Sequence, residues 1–171
     1  MKTIAIIGLG YVGLPLALQF SRSGATVIGV DIDPAKVDAL TQGRSYIKHI
    51  TPESIREQFV SGHLTATTDF AAIERADAVI ICVPTPLNKN REPDISFIVK
   101  TGKALAPHLR PGVLVALESS TYPGTTDEDL RRVLEAGSGL VAGRDFHLAF
   151  SPEREDPGNP QSVVATIPKV V

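Results

Sequence analysis

Thr3-Ile4-Ala5-Ile6-Ile7-Gly8-Leu9-Gly10-Tyr11-Val12-Gly13 joins a β-branched apolar run directly to three glycines in the spacing Gly-x-Gly-x-x-Gly. The run is apolar at odd and even positions alike, as expected of a parallel strand buried on both faces. Leu14, Leu16, Ala17, Leu18 and Phe20 then supply the apolar side of a helix that Gly24 stops. Thr26-Val27-Ile28-Gly29-Val30 is a second strand, and it ends in an acid, Asp31, eighteen residues past Gly13. A strand, a glycine turn opening a helix and an acid closing the next strand make the context in which this spacing carries chemistry. Gly8 permits the tight turn, Gly10 lets the backbone approach a pyrophosphate, and Gly13 lets the helix pack closely on the sheet. The free N–H groups at the helix start attract the phosphates. Asp31 is expected to accept hydrogen bonds from the adenosine ribose hydroxyls and to repel a 2′-phosphate, which favours NAD over NADP. Lys36 is the nearest cation downstream and is placed at the adenosine end. A glycine turn that merely packs a helix is the competing reading, and the three-part context argues against it.

Outward from this unit, short apolar strands alternate with helical segments, so the expected fold is α/β, a doubly wound parallel sheet of the NAD(P)-binding Rossmann type. Pro34 opens a second helix through Leu40, and Thr51 caps another that runs to Val60. Leu64-Thr65-Ala66-Thr67 reads as a strand, and Asp69 caps a helix toward Ala76. Ala78-Val79-Ile80-Ile81-Cys82-Val83 is the clearest buried strand. Ile95 to Leu109 reads as a helix capped by Asp94, Val113 to Leu117 as the fifth strand, Thr125 to Leu134 as a helix and Phe146 to Phe150 as a sixth strand. Regularity is lost after Ser151-Pro152.

The 171 residues carry 17 Lys and Arg against 19 Asp and Glu, a formal charge of −2 that gives no footprint for nucleic acid or an anionic membrane surface. With 43% hydrophobic residues the chain suits one globular domain with a sizeable core. The single cysteine, Cys82, excludes a disulfide framework and fits a reducing cytoplasm, the expected location. The N-terminal apolar run is too short for a signal peptide or a membrane span. His49, His63, His108 and His147 are scattered without ligand spacing, so no metal site is expected.

Ligands of a doubly wound sheet collect at the carboxyl ends of its strands. Polar clusters follow three of the predicted strands there: Val83-Pro84-Thr85-Pro86, Glu118-Ser119-Ser120-Thr121-Tyr122-Pro123-Gly124-Thr125-Thr126 and Ser151-Pro152-Glu153-Arg154-Glu155. Each alone reads equally as a turn with a helix cap, but three at one sheet edge point to a shared site.

Taken in order, Gly-x-Gly-Tyr-Val-Gly-Leu-Pro, Val-Pro-Thr-Pro, Glu-Ser-Ser-Thr-x-Pro-Gly-Thr-Thr and Ser-Pro-Glu-Arg resemble the UDP-glucose/GDP-mannose dehydrogenase family. The stretch from Ser151 to Pro160 is most similar to the bacterial branch that oxidises UDP-N-acetyl-hexosamines, such as UDP-N-acetylglucosamine 6-dehydrogenase. The resemblance implies an oxidoreductase of polysaccharide biosynthesis that takes the C6 alcohol of a UDP-sugar to a uronate in two hydride transfers, using two NAD. It further implies a cysteine nucleophile that captures the aldehyde as a thiohemiacetal and then forms a thioester. By the same resemblance Thr121 positions the reacting oxygen or its water, Glu153 activates the hydrolytic water, Val83, Pro84, Thr85 and Thr121 lie near the cofactor, and Tyr11 and Val12 lie along its pyrophosphate. A homodimer is implied for the intact protein.

The family's Gly-Gly-x-Cys segment, its linking helix and its UDP-binding half have no counterpart in this sequence. Cys82 is no substitute, because a mid-strand cysteine is a small buried hydrophobe. The expectation is therefore that residues 1–171 form an NAD-binding Rossmann domain cut from a longer protein, able to bind NAD and unable to turn over alone. A hydroxyacid dehydrogenase of the 6-phosphogluconate type shares the architecture, and the Thr121 and Glu153 clusters argue against it. A non-catalytic NAD-binding module is the reading from a different class. Asn88-Lys89-Asn90-Arg91-Glu92 reads as a solvated loop at the cleft edge rather than a phosphate clamp, with a mobile lid as the remaining alternative.

Overall fold

The computed structural model describes residues 2–89 and 91–152. Its elements run β1 (Thr3–Ile7), α1 (Gly13–Arg22), β2 (Thr26–Val30), α2 (Pro34–Thr41), α3 (Pro52–Val60), β3 (Leu64–Thr67), a 3₁₀ turn (Phe70–Arg75), β4 (Ala78–Ile81), α4 (Ser96–Leu105), β5 (Leu114–Leu117), a π-helical turn (Thr125–Leu130), α5 (Arg131–Ser138) and β6 (His147–Phe150). The six strands form one sheet in the order β3-β2-β1-β4-β5-β6, every neighbouring pair parallel. This is the doubly wound order, with its reversal between β1 and β4.

Strand β1 shows how the apolar run serves both faces. Ala5 and Ile7 pack with Ile28, Val79, Val115 and Phe146 beneath α4 and α5, on the side that holds Ile98, Leu105 and Leu134. Ile4 and Ile6 point the other way, into the cluster of Leu14, Leu18, Leu40 and Ile55 from α1, α2 and α3. Side chains alternating across a strand, with helices on both sides, require this double burial.

The helix starts follow the expected chemistry. Asp33 accepts from the Ala35 N–H and Thr51 from the Ser54 N–H, each just ahead of a proline in the first turn. Three expected helices are reshaped. The segment from Ile95 to Leu109 is α-helical only from Ser96 to Leu105 and tightens to 3₁₀ at Ala106–His108, because Pro107 has no N–H and crowds the preceding turn. The N-cap position falls on Ile95 rather than Asp94, though Asp94 Oδ1, one residue earlier, accepts from the Ser96 N–H at 2.9 Å. The helix expected from Thr125 starts as a π turn behind Gly124, which sits at φ +97°, and becomes α-helical at Arg131. The element after Asp69 is a 3₁₀ turn rather than an α-helix, with Asp69 capping Ala71.

Candidate dinucleotide-binding site

The reversal in strand order leaves a crevice at the carboxyl ends of β1 and β4, and Gly8 lies in it. Gly8 has φ +92°, and a Cβ there would stand 2.7 Å from the Cys82 carbonyl oxygen on β4's exit. Only glycine fits the turn. A Cβ on Gly13 would collide with the Gly8 carbonyl, so the first turn of α1 lies directly against the strand end. At Gly10 a Cβ meets no protein atom within 4 Å, and Gly10 lines the cleft. The three glycines thus divide into two that permit backbone packing and one that keeps a surface open.

The cleft has a volume of about 460 Å³, within the range of sites that hold a nucleotide-sized ligand. Gly8, Gly10, Tyr11 and Val12 line it from the glycine turn, and Asp31 and Lys36 from the end of β2 and the start of α2. Val83, Pro84 and Thr85 line it from the exit of β4, and Glu118, Ser119 and Ser120 from the exit of β5. Two hydrogen bonds tie these exits together: the Ser119 hydroxyl donates to Val83 O at 2.8 Å and the Thr85 hydroxyl to Ser120 O at 2.7 Å. Gly13 and Thr121 are not among the lining residues; Thr121 lies on the loop between β5 and the π turn. Glu153 and the rest of the Ser-Pro-Glu-Arg stretch past Pro152 lie outside the described residues.

Asp31 is only 5% exposed and is held from three directions. Its Oδ2 accepts from the Leu9 N–H at 2.8 Å and from Lys36 Nζ at 3.1 Å, and its Oδ1 from the Asp33 N–H at 3.0 Å. Oδ1 therefore has the greater spare acceptor capacity, and it is the oxygen suited to a ribose hydroxyl. Lys36 does reach the acid, so the carboxylate's charge is largely balanced by the time it faces the cleft.

The sequence gives Tyr46 no role, yet its hydroxyl donates to Leu9 O at 2.6 Å, inside the glycine turn. Burial first, then the charges of Asp31 and Asp33, push its pKa well above the ordinary tyrosine range, so it stays a donor. The contact joins residues 37 positions apart through an irregular segment, and no periodic signal announces it. Tyr11, 56% exposed, leans toward His49 of the same segment, ring centroids 6.3 Å apart.

Leu87 and Pro93 form an antiparallel bridge, and the Asn88 side chain bonds Glu92 at both its backbone N–H and its carboxylate. Arg91 takes a left-handed conformation at φ +62°. Cys82, at the end of β4, is buried against Gly8 and the start of α1.

A parallel sheet with this strand order, a glycine turn at its reversal and an acid closing β2 define a dinucleotide-binding Rossmann domain. More narrowly, residues 2–171 match the NAD binding domain of the UDP-glucose/GDP-mannose dehydrogenase family, and the chain belongs to that family. Its cofactor is NAD. Staphylococcus aureus "Protein CapL" is 36% identical over 170 residues, covering 99% of this chain and 39% of its own length. The Pseudomonas aeruginosa UDP-N-acetyl-D-glucosamine 6-dehydrogenase is 36% identical over 167 residues, covering 98% of this chain and 39% of its own. Among solved structures, a ternary complex of Pseudomonas aeruginosa GDP-mannose dehydrogenase superposes with a TM-score of 0.84 at 34% identity, covering 90% of this chain and 36% of that one. The chain thus spans about two-fifths of the length of the curated relatives it matches. No helix among the described residues is long and apolar enough to cross a membrane.

Proposed function

We propose that this chain is the cofactor domain of an NAD-dependent oxidoreductase that converts the C6 alcohol of a UDP-sugar, a UDP-N-acetyl-hexosamine, to a uronate. The observation that carries the reading is the cleft at the strand reversal, where the glycine turn, Asp31 and the exits of β4 and β5 converge. The likeness to a UDP-N-acetyl-D-glucosamine 6-dehydrogenase over almost the whole chain supports the substrate class.

In this reading the N–H groups around Gly8, Gly10, Tyr11, Val12 and Gly13 bind the pyrophosphate, and Asp31 with Lys36 holds the adenosine ribose. Val83, Pro84 and Thr85 flank the nicotinamide half, with Thr121 on the substrate side. The cofactor supplies a hydride acceptor, and two are consumed: one alcohol, one water and two NAD⁺ give one carboxylate, two NADH and three protons. Thr121 orients the reacting oxygen, since a hydroxyl both donates and accepts. Glu153 takes a proton from the water that releases the product. Cys82 lines the cleft but is not taken as the nucleophile, because it is only 8% exposed and packed against Gly8 and Gly13 at the strand exit.

Residues 1–171 then form one domain of a longer protein whose further chain supplies the nucleophilic cysteine and the UDP-binding residues. We assign the working enzyme to the cytoplasm as a homodimer that supplies polysaccharide biosynthesis, with neither nucleic acid nor membrane as partner. The test is NADH formation by the intact protein offered UDP-N-acetylglucosamine, UDP-N-acetylmannosamine, UDP-N-acetylgalactosamine and UDP-glucose. Two NADH per uronate from an acetylated sugar is expected. If none of the four sugars yields NADH, the enzyme reading fails.

A further inference from the structure

We propose that Tyr46 is a positioning residue for the cofactor: its hydroxyl locks the Leu9–Gly10 peptide so that the Gly10 N–H faces the cleft as a diphosphate donor. The proposal rests on the cleft being the NAD site and goes on to name what orders it.

The argument begins with the peptide plane. In a trans peptide the carbonyl oxygen and the amide hydrogen of the next residue point in opposite directions. Tyr46 takes hold of Leu9 O at 2.6 Å, and that oxygen shares its plane with the Gly10 N–H. Holding the carbonyl toward the Tyr46 side sends the N–H the other way. Gly10 itself lines the cleft, and a Cβ added to it would meet no protein atom within 4 Å.

The lock has work to do because Gly10 is the residue least able to hold its own peptide. Without a Cβ it moves among backbone conformations that other residues avoid, and a flip of the Leu9–Gly10 plane would replace the donor with a carbonyl facing the diphosphate. The preceding plane is fixed separately. The Leu9 N–H is held by Asp31 Oδ2 at 2.8 Å, and the Leu9 side chain is 1% exposed and pressed against Gly29, where an added Cβ would lie 2.9 Å from Leu9 Cδ2. Residue 9 is thus anchored through its N–H and its side chain, and Tyr46 fixes the one remaining group. Tyr46 is itself seated by the burial of its neighbours Ile47 and Ile50 in the α1–α3 core, whereas the Ser45 hydroxyl makes a local turn contact with the N–H and the carbonyl of Ile47 that is separate from the Tyr46–Leu9 bond.

The experiment compares the intact protein with Tyr46→Phe and Ser45→Ala, titrating each with NAD, ADP-ribose and adenosine. Losing one neutral hydrogen bond that sets the plane should weaken NAD and ADP-ribose about fivefold in Tyr46→Phe. Adenosine, which has no diphosphate, should bind within about twofold of wild type. Ser45→Ala loosens the same segment without touching Leu9 and should leave all three affinities near wild type. In the Gly10 amide NMR signal, Tyr46→Phe should bring exchange broadening that wild type lacks. A uniform loss across the three ligands, or an equal loss in Ser45→Ala, would make Tyr46 a merely structural residue and overturn the proposal. Unchanged NAD affinity in Tyr46→Phe would overturn it too. Wild-type protein that bound no NAD would defeat the cofactor assignment and this proposal together.

Discussion

Asp31→Asn is the sharpest perturbation of this site, because it keeps the side chain's shape while removing its charge and its ability to accept at both oxygens. Asp31 faces three donors: the Leu9 N–H and Lys36 Nζ at one oxygen and the Asp33 N–H at the other. An amide has one oxygen and one NH₂. If the oxygen turns toward Leu9 and Lys36, the NH₂ meets the Asp33 N–H. If it turns toward Asp33, the NH₂ meets both other donors. Either orientation sets donor against donor at a nearly buried position, which costs about 1–3 kcal/mol of stability. The ribose loses a charged acceptor at the same time. Hydrogen bonds to charged groups contribute about 1.5–3 kcal/mol, so NAD affinity should fall at least tenfold. The discrimination against NADP should shrink as well. Two unit charges at about 4 Å and an effective dielectric near 20 repel by about 4 kcal/mol, but Lys36 at 3.1 Å offsets much of this, leaving about 1–2 kcal/mol. Calorimetric titration with NAD and NADP, paired with urea unfolding of the free protein, measures all three effects. An Asn variant that binds NAD within twofold of wild type, at unchanged stability, would refute both the ribose assignment and the donor accounting behind it.

Gly13→Ala should destabilise the fold by more than about 2 kcal/mol, because the added methyl collides with the Gly8 carbonyl and neither backbone can yield; thermal unfolding checks it. Gly10→Ala should leave the melting temperature near wild type while weakening NAD at least tenfold, because its methyl enters ligand space rather than protein. Thr85→Val should weaken NAD about threefold by releasing the bond to Ser120 O that ties the β4 and β5 exits, measured by the same titration. At the surface, the Thr3 N–H holds the Asp77 carboxyl below the ordinary aspartate range. The Arg144 guanidinium does the same for Asp145, and the Ser96 N–H for Asp94. A carboxyl lowered on folding adds stability above its unfolded pKa of about 3.9 and loses it as pH falls through the folded value. Urea unfolding from pH 7 to pH 3 should therefore show stability dropping below about pH 4, and Asp77→Asn should flatten that drop.

The strands were legible because their signal is local and redundant. Thr26–Val30 and Leu64–Thr67 fall where the apolar runs place them, since a β-branched run bounded by turn residues has few other ways to bury itself. What slipped was set by competition within a turn. Asp69 announces a helix start truthfully, yet too few residues separate it from β4 at Ala78 to do more than tighten into 3₁₀. Pro107 sits inside a run whose apolar period continues past it, so the period overstates the helix and the missing N–H ends it at Leu105.

The site divides in the same way. Gly8, Gly13 and Asp31 could be read in advance because each solves a steric or electrostatic problem created by its immediate neighbours, and such problems leave fixed spacings. Tyr46 solves one created by distant chain. It caps a carbonyl 37 residues upstream, from a segment whose order comes from Ile47 and Ile50 anchoring it to the core rather than from any repeat. A spacing can record which residue must be glycine. It does not record which residue must then hold that glycine still, because a flexible peptide can be steadied from any side the fold happens to supply. For that reason the glycine motif alone underdetermines affinity: two domains with the same Gly-x-Gly-x-x-Gly can differ in how firmly the central N–H is presented, and here the difference is carried by a phenol outside the motif.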